Sequence, residues 1–323
     1  MRIYLCCCIA SCCHSRVTPI RYASRWTLPA ATVSVLLMWA SSFLVIRAVR
    51  HDFAPGSLAL GRLTVGSLAL MPLAVRARRP LPRGTTLRLV LTYGVLWFAA
   101  YAVALNAAER HLDAGTAALL VNFAPIIVAV YAGLFLGEGF PRPLVIGIVV
   151  AFSGVALIAL GGSGAHGDSI GVALGLLSAL LYGSSVLMQK TVLGSTDPIT
   201  ATWVGCVAGN VALLVFAPQA VRDVGHASAG AIAGVVYLGV FPTAAAFTLW
   251  AYALTRTSAG RLTSTTLTVP AIAVLMSWAF LAETPTTLGL VGGALCLTGV
   301  AISRRRPRPQ PARVVAAQAS GAP

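Results

Sequence analysis

The stretch Ala114–Glu138, AGTAALLVNFAPIIVAVYAGLFLGE, returns 145 positions later as AGRLTSTTLTVPAIAVLMSWAFLAE, Ala259–Glu283. Each copy opens on Ala-Gly, carries one proline in mid-segment (Pro125 and Pro270) and closes on a glutamate (Glu138 and Glu283). Ala, Gly and Leu are common in this chain, so the aligned prolines and glutamates carry the correspondence. At the same offset Gly94 matches Gly239, Gly147 matches Gly292, and Gly154-Val155-Ala156 matches Gly299-Val300-Ala301. At an offset of 143, Ser41-Ser42 matches Ser184-Ser185 and Arg47 matches Lys190. The chain therefore reads as an internal duplication, which decides the architecture before any other feature does.

Composition supplies the solvent. The 323 residues are 58% hydrophobic and only 10% charged, where a soluble domain carries about 25% charged residues. Uncharged runs of about 20 residues read as helices that cross a bilayer, because lipid forces every backbone group to bond within its own segment. Such runs cover roughly 29–47, 56–75, 88–107, 114–136, 143–161, 169–189, 198–217, 229–250, 261–281 and 286–303. The expected fold is an all-α integral membrane protein with ten transmembrane helices.

The net charge of +15 gathers in loops and at both ends, as topology signals do, and no soluble basic domain exists to bind nucleic acid. With the N-terminus in the cytoplasm, 18 of the 23 basic residues fall on the cytoplasmic side. Only Arg47, Arg50, Arg110 and Arg222 fall outside, and Arg62 lies within a helix. Both termini are thus expected in the cytoplasm of a multi-pass plasma-membrane protein. Each half of the duplication holds five helices. Five is odd, so the second half enters the membrane inverted with respect to the first, the symmetry of many secondary transporters. The expected organisation is a basic, cysteine-containing leader (1–27), a first repeat (28–161), a second repeat (162–303) and a basic disordered tail (304–323).

Within this frame, Trp39-Ala40-Ser41-Ser42-Phe43-Leu44-Val45-Ile46-Arg47 resembles the first-helix signature of the drug/metabolite transporter superfamily, ten-helix EamA-like kind. Leu58-Ala59-Leu60-Gly61-Arg62-Leu63 resembles its second-helix arginine motif, and Ala114–Glu138 its fourth helix. The resemblance spans about 30–303. It implies an inner-membrane carrier that exports amino acids, metabolites or drugs through a central cavity lined by both repeats. Two departures stand out. The run Ala108–Asp113 is unusually charged, and Val204-Gly205-Cys206 replaces the arginine motif in the second repeat, so Arg62 has no duplicate.

Arg62 is the sharpest candidate for solute contact. A charge within a membrane helix costs at least ~2.5 kcal/mol on insertion scales. It therefore faces a cavity, where it could hold a carboxylate, or else caps carbonyls or snorkels. Trp39, Ser41 and Ser42 on helix 1, and Tyr182, Ser184 and Ser185 on helix 6, offer an aromatic wall beside hydroxyls; the alternative is close helix packing. Tyr101 on helix 3 and Trp250 on helix 8 are further candidates. Asn122 on helix 4 and Thr265 and Thr268 on helix 9 lie just before Pro125 and Pro270. Proline frees the carbonyl four residues earlier, here Val121 and Thr266. The prolines are expected hinges, unless the hydroxyls merely bond back to their own helix. Glu138 and Glu283 are expected to cap the N-terminus of the next helix, since a carboxylate is unfavourable at a helix C-terminus.

Other chemistry finds no support in the sequence. No carboxylate sits near the middle of a predicted helix, which weakens the usual signature of proton coupling. There is no phosphate-binding Gly-rich loop, no metal-ligand spacing, and no Ser/His/Asp set or nucleophile elbow. The cysteine cluster Cys6, Cys7, Cys8, Cys12 and Cys13 lies on the reducing side, where disulfides do not persist. The expected function is a secondary carrier moving a small organic solute outward by alternating access, with no cofactor and no metal. Its partners are the solute and the lipid bilayer; coupling protons and a homodimer are admitted but not required. A membrane enzyme or a non-transporting sensor or scaffold is the alternative.

Overall fold

A computed structural model describes residues 27–111, 120–160, 169–281, 286–303 and 305. All regular structure among them is helical. Seven helices are long and apolar enough to cross a membrane: α1 (Thr27–Val49), α2 (Pro55–Ala77), α3 (Gly84–His111), α6 (Ser169–Val192), α7 (Pro198–His226), α8 (Ala229–Leu254) and α9 (Ala259–Phe280). Three shorter apolar helices complete the set among the described residues: α4 (Ala124–Phe135), α5 (Arg142–Leu160) and α10 (Thr287–Ser303). The leader, the tail beyond Arg305, Ala114, Gly115 and Glu283 lie outside the described residues.

Two helices run further than the hydropathy pattern indicated. α3 continues to His111 and α7 to His226, through charged turns that a hydropathy reading assigns to loops. In α7 a short tight turn at Leu214–Phe216 precedes the last segment, whose Pro218 sits in the first turn, where its missing N–H costs nothing.

The bundle buries small residues between helices and turns large apolar ones outward. Leu73, Val75, Phe135, Val149, Val215 and Phe280 are all more than half exposed. An apolar exterior of this kind is what a lipid solvent requires.

The inverted relation of the two halves is written in how α5 and α10 touch. A β-carbon added at Gly147 would stand 2.5 Å from the Gly299 oxygen, and one added at Gly154 would stand 2.5 Å from the Gly292 oxygen. Gly147 corresponds to Gly292 in the repeat, and Gly154 to Gly299. The two contacts are therefore the same contact exchanged between repeats, which requires antiparallel helices about a local twofold axis. At its centre Cys296 Sγ lies 3.4 Å from the Ala151 oxygen, and 151 and 296 are themselves equivalent positions. Only glycine permits backbones to approach this closely.

The same symmetry recurs where α2 crosses α8 and α7 crosses α3. An added β-carbon at Gly66 would meet the Gly239 oxygen at 3.1 Å, and one at Gly209 the Gly94 oxygen at 3.0 Å. At these crossings the helical hydrogen bonding widens to π register, over Gly94–Tyr101 in α3 and Gly239–Ala245 in α8. Pro242 accounts for the irregularity in α8, because it withdraws one donor. The α3 segment holds no proline, and nothing in its sequence announced the change. Such insertions concentrate at functional sites.

Pro125 and Pro270 also mark interruptions. The chain turns at Asn122–Phe123 before α4, and α9 tightens to a 3-10 turn over Thr265–Thr268. The Thr266 carbonyl, expected to be freed by Pro270, instead accepts the Val269 N–H within this tighter turn.

One end of the bundle gathers Thr27, the C-termini of α4, α6 and α8, and the N-terminus of α9. Glu138 crosses to α9 there. Its Oε1 accepts from the Ala259 N–H at 2.8 Å and its Oε2 from the Gly260 N–H at 3.1 Å. Capping was expected, but of the next helix in sequence; the helix capped begins 121 residues later. The reason is packing: α4 and α9 are repeat equivalents that lie antiparallel, so the end of one meets the start of the other. Ser258 makes no side-chain cap, which leaves α9's first donors to the carboxylate. Beside it, Lys190 Nζ donates to Leu254 O at 2.7 Å and Thr257 O at 2.8 Å, fixing the α8–α9 connection. Glu138→Ala removes both cap bonds and is expected to lower stability by about 1–2 kcal/mol, read as a fall in thermal midpoint in detergent. An unchanged midpoint would show the cap to be dispensable.

At the opposite end, Asp223 of α7 accepts from the Ala54 N–H at 3.0 Å and from the Ser57 hydroxyl, capping α2. Asp52 accepts from the Ser228 N–H at 3.1 Å, at the start of α8.

Candidate functional site

α2, α3 and α8 enclose a narrow cleft of about 30 Å³, room for a water or two. Arg62 and Leu63 of α2, Trp97, Tyr101 and Asn106 of α3, and Thr243 and Phe247 of α8 line it, with Phe98, Ala102 and Leu105 between them. A solute larger than water fits only when these helices part.

Arg62 lies seven residues into α2, about 10 Å of helix from its start. Its Nε donates to Thr243 Oγ1 at 3.2 Å, and that hydroxyl donates to Leu238 O at 2.8 Å. The bond runs from the first repeat to the second. The repeat equivalent of Arg62 is Gly205. An added β-carbon at Gly239 would meet the Arg62 oxygen at 2.7 Å, and one at Gly94 would meet the Gly205 oxygen at 2.5 Å. The backbone is thus duplicated at this level while the charge is not, so the guanidinium breaks the symmetry of the centre.

Aromatic rings from both repeats form the wall behind the cleft. Trp97 meets Phe247 edge-on at 4.9 Å and Tyr182 at 5.5 Å, and Tyr101 lies 5.9 Å from Tyr182. Trp39 packs against Trp250 at 5.0 Å and Phe247 at 5.3 Å, and its Nε1 donates to Pro242 O at 3.3 Å. Edge and tilted geometries of this kind are the favoured ones. Trp39, Tyr101, Tyr182 and Trp250, four of the aromatic candidates, therefore share one cluster, with Tyr101 facing the cleft. The hubs Trp97 and Phe247 escaped the sequence reading; the spacing of four between Trp97 and Tyr101 was the available signal.

The hydroxyl candidates are mostly engaged locally. Ser42 donates to Trp39 O at 2.6 Å, Ser185 to Leu181 O at 2.6 Å, Thr265 to Leu262 O at 2.6 Å and Thr268 to Thr265 O at 2.7 Å. Ser41 donates to Met38 O at 2.9 Å and lies 2.7 Å from the Tyr237 hydroxyl. Bonding back to the same helix satisfies a hydroxyl in an apolar surrounding. Ser184 is half-buried on α6, and Asn122 is buried before α4. None of these residues borders the Arg62 cleft. Tyr182 extends the network, its hydroxyl donating to Thr266 Oγ1 at 3.5 Å.

Glu109 was the larger omission. Read as part of a loop, it lies in the last turns of α3, and its Oε1 is buried without a hydrogen-bond partner. Among the described residues, no group of three or more His, Cys, Asp or Glu side chains is arranged to hold a metal ion.

Known proteins resemble this chain along most of its length. The model of the EamA-like transporter family matches residues 28–160 and 169–305. A probable terminal-alkyne amino-acid exporter of Streptantibioticus cattleyicolor is 36% identical over 287 residues, covering 85% of this chain and 93% of the relative. The uncharacterized transporter YdfC of Bacillus subtilis is 34% identical over 263 residues, covering 81% and 86%. A solved crystal structure superposes with a TM-score of 0.72 at 17% identity, covering 89% of this chain and all of the other, which shows the shared fold. The family and these relatives are transporters rather than enzymes, and a transporter's substrate is a small-molecule solute. With the duplicated helical fold, the cleft between its halves and a family match across both repeats, the chain belongs to the EamA-like transporter family of membrane transporters.

Proposed function

We propose that the chain exports a small amino-acid-like solute across the plasma membrane by alternating access, with Arg62 as the anchor for the solute's carboxylate. The observation that carries this is an unduplicated guanidinium, bonded across the repeats to Thr243, in a cleft otherwise lined largely by aromatic and aliphatic groups. A fork of donors in an apolar surrounding suits a carboxylate, and the rings suit an aliphatic or aromatic side chain. The relative named a probable terminal-alkyne amino-acid exporter is in keeping with that class.

In this reading the Thr27 end lies in the cytoplasm with both chain termini, which the arginine and lysine distribution supports. All ten helices then cross the bilayer, with residues 28–161 and 162–303 as the inverted halves. The cap of Glu138 on α9 and the clasp of Lys190 hold the cytoplasmic end together in this arrangement. The interruptions beside Pro125 and Pro270 are the hinges on which the halves rock.

Counterflow of L-leucine and a panel of amino acids into proteoliposomes tests the reading, with and without a pH gradient. The expected result is saturable exchange above protein-free vesicles; stimulation by the gradient would add coupling protons to the mechanism. No exchange of any amino acid in the panel would overturn the substrate class. A C-terminal reporter found outside the cell would overturn the topology.

A further inference from the structure

Glu109 lies three residues beyond Asn106 and four beyond Leu105, both of which line the Arg62 cleft. Residues at these spacings share one helix face. The carboxylate therefore continues the lining formed by Tyr101, Ala102, Leu105 and Asn106 towards the Asp52 end. Asn106 is itself fixed there, its Nδ2 donating to Pro55 O at 3.1 Å, which ties this stretch of α3 to the start of α2.

Glu109 Oε1 is buried and accepts no hydrogen bond. A buried polar atom left unbonded has given up its water without a replacement partner, so such an atom beside the cleft points to a donor that arrives from elsewhere. The basic groups whose fields reach the carboxylate are Arg62 of α2 and Arg50 of the α1–α2 connection. Arg62 is engaged through Nε with Thr243, and its two terminal nitrogens provide the remaining donors of the fork. One narrow apolar cleft is thus flanked by a cation from α2 and an acid from α3. A solute that carries both charges itself satisfies both at once.

We propose that Arg62 and Glu109 form a two-point zwitterion site, in which the primary ammonium of an α-amino acid donates to Glu109 Oε1 while its carboxylate accepts from the Arg62 guanidinium. The proposal rests on the amino-acid reading given under Proposed function and adds to it the group that recognises the amine. It also explains why the two charges belong to the first repeat alone: a single zwitterion needs one anchor of each sign.

Calorimetric titration of the purified full-length protein in detergent separates the two anchors. The probes are L-leucine, 4-methylpentanoate, which lacks the amine, and isoamylamine, which lacks the carboxylate. The wild-type protein is expected to bind L-leucine at least ~10-fold more tightly than either fragment, the discrimination a lost charge-assisted hydrogen bond gives. Glu109→Gln, nearly isosteric, is expected to weaken L-leucine at least ~10-fold and leave 4-methylpentanoate unchanged. Glu109→Asp keeps the charge and is expected to retain a preference for L-leucine over 4-methylpentanoate, which keeps the test open should the glutamine variant aggregate.

A Glu109→Gln protein that binds L-leucine as the wild type does would overturn the zwitterion site alone, leaving an acid that serves only to balance Arg62 and Arg50. So would a Glu109→Asp protein that binds L-leucine and 4-methylpentanoate alike. A wild-type protein that binds none of the three probes, or moves no amino acid in vesicles, would overturn the substrate class and this site together.

Discussion

Gly147→Leu is expected to leave no monodisperse folded protein in size-exclusion chromatography. The α5–α10 contact brings the position of a β-carbon at Gly147 to 2.5 Å from both the Gly299 oxygen and the Ser303 nitrogen. These are backbone atoms of a helix, which cannot swing aside as a flexible side chain can. Even Gly147→Ala is expected to destabilise by about 1–3 kcal/mol, the usual cost of an overpacked site. This is a test of sign. Helix propensity alone favours alanine over glycine by about 1 kcal/mol, so propensity predicts a rise in the thermal midpoint where packing predicts a fall. Gly225→Ala is the control: nothing stands within 4 Å of a β-carbon there, so that substitution is expected to be neutral or stabilising. Local symmetry extends the prediction, because Gly154 faces Gly292 as Gly147 faces Gly299, and Gly154→Leu should fail in the same way. A stable Gly147→Leu protein would contradict the antiparallel pairing of α5 with α10, and with it the geometry that relates the two repeats.

Arg62→Ala is expected to reduce amino-acid exchange in proteoliposomes by about 10–100-fold, the range given by one lost hydrogen bond to a charged group. The folded state should survive, since the bond to Thr243 at 3.2 Å is a single link between α2 and α8 and their backbones also meet at Gly66 and Gly239. Stability and solute recognition are therefore separable. If the guanidinium holds a carboxylate, the variant loses L-leucine binding but binds isoamylamine as the wild type does. If it only pins the two helices, the thermal midpoint falls and all solutes weaken together. Arg62→Lys keeps a positive charge without the planar fork, and its expected activity lies between the two. An Arg62→Ala protein that transports L-leucine normally would remove this residue from the path.

Much of the scaffold was legible because membrane physics leaves few choices. Long apolar runs must be helices, and an odd number of helices in each repeat must invert the second copy. The paired prolines at Pro125 and Pro270 and the glycines at Gly94, Gly147 and Gly154 with their repeat partners set the register of that duplication. The site was less legible. Arg62 stood out because a charge inside a helix is costly, Trp39 and Tyr182 stood out as aromatics beside paired serines, and Tyr101 and Trp250 as further aromatics within predicted helices. Their common cluster could not be inferred, because ring contacts between helices depend on rotation about each helix axis, which hydropathy does not encode.

Three decisions belonged to tertiary structure. The partner of Glu138 is Ala259 rather than the adjacent helix, because antiparallel packing of α4 and α9 overrides proximity along the chain. The hydroxyls of Ser42, Ser185, Thr265 and Thr268 bond to their own helices, because an apolar surrounding offers no better acceptor. Glu109 sits one turn beyond Asn106, which lines the cleft, because α3 persists through a charged turn that the hydropathy pattern assigns to a loop. The sequence by itself determined an inverted, duplicated membrane bundle with one unduplicated arginine. Only the fold decided what that arginine faces, since helix rotation, the π-widened segments of α3 and α8 and the reach of long side chains arise from contacts between residues far apart in the chain.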